Sequence, residues 1–200
     1  MAHMEAEGLD PDGELARACG AGDLDLCRVA LAMGGHPSSR GREGMTPLME
    51  AVVGGHLHCL AELIAALDPS ELSRVDYQGW DALMHASAGG RLACLRALLA
   101  AGASCSTVGE RGHTAFTLAI DAPETRRSAE AALALMPGSD LDFGTGVGRA
   151  AETLISGRNW GEDASVMLRA LGAERSRREG LEIAGAVGGA ETSKGQAPRL

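Results

Sequence analysis

Apolar residues at Leu92, Cys94, Leu95, Leu98 and Leu99 recur with the period of a helix that has one buried side, and the run stops at Gly102-Ala103. Upstream, the turn Asp76-Tyr77-Gln78-Gly79-Trp80 leads to a helix start at Asp81-Ala82-Leu83-Met84, which continues to Ala86 and breaks at Gly89-Gly90. Asp76 to Ser106 therefore predicts one turn, one short helix, a glycine turn and a second helix. The pattern recurs. Thr46-Pro47-Leu48-Met49-Glu50-Ala51 lies 35 residues before Asp81, and Thr114-Ala115-Phe116-Thr117-Leu118-Ala119 lies 33 residues after it. Gly54-Gly55-His56-Leu57 matches Gly89-Gly90-Arg91-Leu92, and Ala21-Gly22-Asp23-Leu24 fits a copy that begins near Gly13.

Local chemistry sharpens the boundaries. Thr46 is placed to accept a backbone N–H at a helix start, with Pro47 in the first helical position, where its missing N–H costs nothing. Asp81 and Thr114 are equivalent caps, and the carboxylate of Asp81 also favours the positive helix end. In the first copy, Glu14–Cys19 and Leu24–Met33 are the expected helices, with Leu24, Leu26, Cys27 and Leu31 on the apolar face of the second. The second copy's outer helix is expected from Leu57 to Leu67, and the extra residues around Pro69 to Val75 account for the longer spacing. Glu124–Met136 reads as an amphipathic helix with Ala129, Ala132, Leu133 and Met136 spaced for burial; Arg149–Ile155 and Glu162–Leu171 read as a further pair.

These landmarks resemble the ankyrin repeat, a helix–turn–helix unit of about 33 residues that opens with Thr-Pro-Leu-His-x-Ala. The resemblance is carried by residues 13–120. It implies an all-α ankyrin-repeat solenoid of stacked helix-turn-helix units joined by hairpin-like turns. The expected organisation is a polar segment over 1–12 and a repeat domain over 13–173. Within that domain the repeats fall near 13–43, 44–78, 79–111 and 112–143, followed by a degenerate cap over 144–173. A charged, then Gly/Ala-rich tail covers 174–200 and is expected to be disordered. Met49, Met84 and Thr117 stand where the family has its histidine, so adjacent repeats are expected to be held by packing with less help from polar contacts.

Composition limits the alternatives. Two Phe, two Trp and one Tyr in 200 residues leave the core to Leu, Ala, Val, Ile and Met, which suits closely stacked helices. The net charge of -9 disfavours binding to nucleic acid or anionic lipid. No apolar run approaches the length of a bilayer span, and the first residues lack a secretory pattern, so no membrane insertion is expected, and the expected location is intracellular, cytoplasmic rather than nuclear. The five cysteines, Cys19, Cys27, Cys59, Cys94 and Cys105, contain no Cys-x-x-Cys and read as free, small core residues.

No catalytic constellation assembles. Gly144-x-Gly146-x-Gly148 follows no predicted strand and lacks a Gly-Lys-Ser/Thr ending. Asp81 and His85 share a helix face, as an acid–base pair would, but Asp81 already has a capping task. His56 and His58 diverge on their helix, and Arg175 to Arg178 read as a solvated charge cluster. No cofactor or metal is expected. The resemblance instead implies a non-catalytic protein-interaction module, an adaptor, scaffold or inhibitor, that is monomeric when free and binds a protein partner through hairpin tips and the concave helix face. The alternatives are an enzyme or nucleotide-binding protein using the glycine-rich segment, and a structural subunit of a stable complex. The tip residues expected to carry recognition are Arg42, Glu43 and Met45, then Tyr77, Gln78 and Trp80, then Glu110, Arg111 and His113. The middle tip gathers the single Tyr and one of the two Trp, residue types enriched at binding hot spots.

Overall fold

The structure, a computed structural model, describes residues 10–121, 126–135 and 165–177. The chain divides into two compact units, Met1–Asp140 and Leu141–Leu200. Among the described residues of the first, eight α-helices follow one another: α1 (Pro11–Ala21), α2 (Leu24–Ala32), α3 (Pro47–Gly54), α4 (Leu57–Ala66), α5 (Ala82–Ala88), α6 (Leu92–Ala100), α7 (Ala115–Asp121) and α8 (Arg126–Leu135). Among the described residues there are no strands. Each odd-numbered helix packs on the next odd one, and each even-numbered helix on the next even one, so four helix pairs stack in two layers.

The caps form as the residue types dictate. Met49 N–H donates to Thr46 Oγ1 (3.3 Å), Met84 N–H to Asp81 Oδ1 (2.8 Å) and Thr117 N–H to Thr114 Oγ1 (3.2 Å). At the other end, α1 and α3 close on left-handed Gly22 and Gly55. The core repeats with the sequence. Leu15, Leu48, Leu83 and Phe116 occupy matching places and are all at most 3% exposed, and Ala18, Ala51, Ala86 and Ala119 behind them are wholly buried. A small residue there lets neighbouring inner helices approach. The buried Ser87 hydroxyl is satisfied by donating to Leu83 O (2.8 Å).

Three local expectations change. Helix α1 begins at Pro11 rather than Glu14, with Pro11 at its start. On α2 the buried residues are Cys27 and Ala30, while Leu24, Leu26 and Leu31 are only half-buried. Third, the repeats are not short of polar links. His56 Nε2–H donates to Gly20 O (3.1 Å), and Arg91, one repeat later, donates to Val53 O (3.1 Å), the equivalent carbonyl. The His56 ring lies so close over Gly22 that a Cβ there would come within 2.4 Å of Nδ1. The link is thus made by the residue that follows the second and third glycine turns, His56 and Arg91. The extra residues of the second repeat form a short 3-10 helix, Pro69–Ser73, with Leu72 buried beneath it and Glu71 accepting a hydrogen bond from Ser38 Oγ (2.6 Å).

In the second unit a helix, α9, covers residues 165–177 and buries Met167, Leu171 and Glu174 at helical spacing, with Arg177 Nε donating to Glu174 Oε2 (2.9 Å). The helix expected to end at Leu171 therefore continues to residue 177. The glycine-rich segment at 144–148 and the helix expected at 149–155 lie outside the described residues.

Candidate interaction surface

Three turns between the helix pairs share one backbone design. Gly44 N–H donates to Gly41 O and Gly41 N–H to Met45 O; Gly79 and Asp76 do the same to Asp76 and Trp80, and Gly112 and Gly109 to Gly109 and His113, at 2.8–3.2 Å. The fourth residue of each turn is a glycine at φ 74–77°. Successive turns are tied edge to edge, Tyr77 N–H to Glu43 O (3.0 Å) and Glu110 N–H to Gln78 O (3.3 Å). Residues 41–45, 76–80 and 109–113 are therefore equivalent. Glu43 alone among them carries a positive φ (58°) on a residue with a side chain.

All nine predicted tip residues lie on these turns. Arg42, Glu43, Gln78, Glu110 and Arg111 are exposed, whereas Met45, Trp80 and His113 are half-buried. Tyr77 is 68% exposed although its ring rests on Gly44, where a Cβ would come within 2.7 Å of Cδ1. Gln78, Trp80, Glu110, Arg111 and His113 line one cleft of about 320 Å³ between the second and third turns, while Arg42, Glu43, Met45 and Tyr77 lie outside its lining. The Trp80 indole sits 5.3 Å from the His85 ring and edge-on to His113 at 6.5 Å, so it both walls the cleft and covers the junction beneath.

One buried carboxylate organises the middle turn. Asp76 Oδ1 accepts the N–H groups of Gln78 (2.8 Å) and Trp80 (2.9 Å), and Oδ2 meets His85 Nε2 (2.9 Å). The acid–base pair considered for Asp81 and His85 therefore does not form, since Asp81 caps α5 and His85 turns to Asp76. Sequence reasoning missed this pairing, although an Asp two residues before a turn's centre is the known signature of a side chain that satisfies its own turn.

His56 is engaged with Gly20 and His58 is exposed, and among the described residues no group of three or more His, Cys, Asp or Glu could hold a metal ion. All five cysteines are free and buried; Cys19 and Cys27 touch sulfur to sulfur at 3.6 Å. Burial pushes the thiols of Cys19, Cys59, Cys94 and Cys105 up from their ordinary range, so they stay protonated and unreactive. No described helix is long and apolar enough to cross a membrane.

A comparison with curated proteins finds no match for the chain. The family model for ankyrin repeats (3 copies) matches residues 15–109, which run from within α1 through α6 and include the turns at 41–45 and 76–80. With helix pairs stacked in two layers and glycine-centred turns tied edge to edge, residues 15–109 are an ankyrin-repeat domain.

Proposed function

We propose that this protein is a non-catalytic interaction module that binds a protein partner through its hairpin tips and the concave face of α1, α3, α5 and α7, as an adaptor, scaffold or inhibitor. Family membership supports a protein-interaction role in general. The observation that carries the specific reading is the contrast between backbone and side chains on the three turns. Their main-chain hydrogen bonds are the same, yet their outward residues are Arg42 and Glu43, Tyr77 and Gln78, Glu110 and Arg111, whose side chains take no part in those bonds. Tyr77 and Trp80 supply rigid aromatic area at the centre, and the 320 Å³ cleft beside them offers an amide, a carboxylate and a guanidinium within one footprint. Five unpaired, buried thiols suit the reducing cytoplasm, where we place the protein.

The test is quantitative affinity capture with wild type, a Tyr77→Ala/Arg111→Ala tip variant, and His58→Ala on the outer layer as control. Wild type and control should recover the same partner, and the tip variant should lose about 2 kcal/mol or more of binding. Its unfolding midpoint should stay within about 0.5 kcal/mol of wild type. Undiminished capture by the folded tip variant would exclude this surface.

A further inference from the structure

The outward positions of the three turns form two rows along the stack. One row is Arg42, Tyr77, Glu110; the other is Glu43, Gln78, Arg111. The equivalence rests on the shared turn bonds and the edge-to-edge bonds, and side-chain packing agrees with it. Tyr77 lies over Gly44, and Glu110 Cγ would stand 3.6 Å from a Cβ on Gly79, one turn along. The first row therefore runs cation, aromatic, anion, and the second anion, amide, cation. Because each row reverses its charge from one end to the other, the face is complementary to itself. A two-fold axis lying across the stack at the middle turn sets Arg42 against Glu110 of a second copy and Glu43 against Arg111. It also brings the two Tyr77 rings together.

The charges at these corners are available. Elsewhere in this unit Arg17 pairs with Glu14, Arg28 with Glu62, Arg74 with Glu71 and Arg96 with Glu130, Arg91 is spent on a carbonyl, and Arg40, which precedes the first turn, is exposed. Among the described residues none of Arg42, Glu43, Glu110 and Arg111 makes an ion pair, although Arg42 lies within electrostatic range of Glu50. We propose that the hairpin face docks a second copy of this chain, antiparallel, about that two-fold axis. An axis along the stack would also match the charges, but it would set Tyr77 against Gln78 and forgo the aromatic contact.

The same features set the strength. Stacked helices step by about 8–10 Å, so three turns span only about 20 Å, which falls in the small-interface class. A net charge of -9 on each copy opposes approach. The dimer is therefore weak, with a dissociation constant on the order of 100 μM. The chain is monomeric when dilute, and a second copy competes for the tips with any partner that uses them. The inference needs no such partner, and its failure would leave the capture experiment untouched.

Sedimentation equilibrium of the full chain from about 10 μM to about 1 mM brackets that constant. A reversible monomer–dimer equilibrium is expected. Arg42→Glu should weaken it about tenfold, since each substitution counts twice across a two-fold axis. Adding Glu110→Arg to the same chain should restore it, whereas adding Glu43→Arg should not. All three variants alter exposed residues, and matching thermal melts would confirm that they fold. A monomer throughout the range, a dimer indifferent to Arg42→Glu, or rescue by Glu43→Arg alone would overturn the proposal.

Discussion

The helix stack and the turns of the first unit obey the same period with opposite results. At the inner-helix position the four pairs carry Leu15, Leu48, Leu83 and Phe116, with an alanine three residues on in every case. At the first outward turn position they carry Arg42, Tyr77 and Glu110, which share neither size nor charge. Each stack position is enclosed by nearly the same neighbours, and close packing admits few side chains there. A turn's outward side chain meets water, which tolerates all three residues, so folding does not choose among them.

The sharpest way to break this comparison is to truncate the stack. Leu83→Ala should cost about 2–5 kcal/mol, the transfer term plus the cavity left between α5 and its neighbours. That is a large share of the roughly 5–15 kcal/mol that holds a domain together. Urea unfolding at constant slope reads the difference directly. A midpoint indistinguishable from wild type would mean that this position is not structural, and the contrast with the turns would fail.

What could be read from the sequence divides along the same line. Helix caps at Thr46, Asp81 and Thr114, the glycine turns, and the burial of Leu48 and Leu83 were legible because each follows from residues a few positions apart. The nine tip residues could be placed on the turns for the same reason. Bonds between repeats were not legible. His56 to Gly20 and Arg91 to Val53 join residues 36 and 38 apart, and no local pattern announces which side chain will reach which carbonyl. Nor does periodicity reveal that His85 would pair with Asp76 rather than Asp81, since that depends on how the turn folds back over α5.

The turns themselves are unequal inside, and Asp76 measures by how much. Its counterparts in the neighbouring turns are Gly41 and Gly109, which hold the same backbone bonds with no side chain. Asp76→Ala removes an acceptor from two backbone N–H groups and strands His85, so a cost of about 2–3 kcal/mol is expected. Amide hydrogen exchange should quicken at Gln78 and Trp80 while their counterparts in the third turn, Arg111 and His113, keep their rates. Unchanged exchange at Trp80 would show that the turn is held by its glycine and its main chain alone, as its neighbours are.

The smallest expected effect concerns the caps, where the stack itself is not uniform. Asp81 is 2% exposed and does with a carboxylate what Thr46 and Thr114 do with a hydroxyl. Burial raises its pKa above the ordinary 3.8, against hydrogen bonds from Thr107 and the N–H groups of Met84 and Leu83 and the influence of His85, which lower it. Between the ordinary and the raised value the folded chain holds the proton more tightly than the unfolded one. Stability contributed by this group is therefore present at acid pH and lost as pH climbs through that interval. Asp81→Thr removes the titration but keeps an oxygen for Met84 N–H. Relative to wild type, the variant should gain stability as pH rises above about 3.8 and level off by neutrality, with a final difference within about 1 kcal/mol. Denaturant midpoints for both proteins across that interval decide it. If wild type instead gains on the variant as pH rises, the hydrogen bonds to the anion outweigh the cost of burying it, and a charged cap is the better fit at this junction.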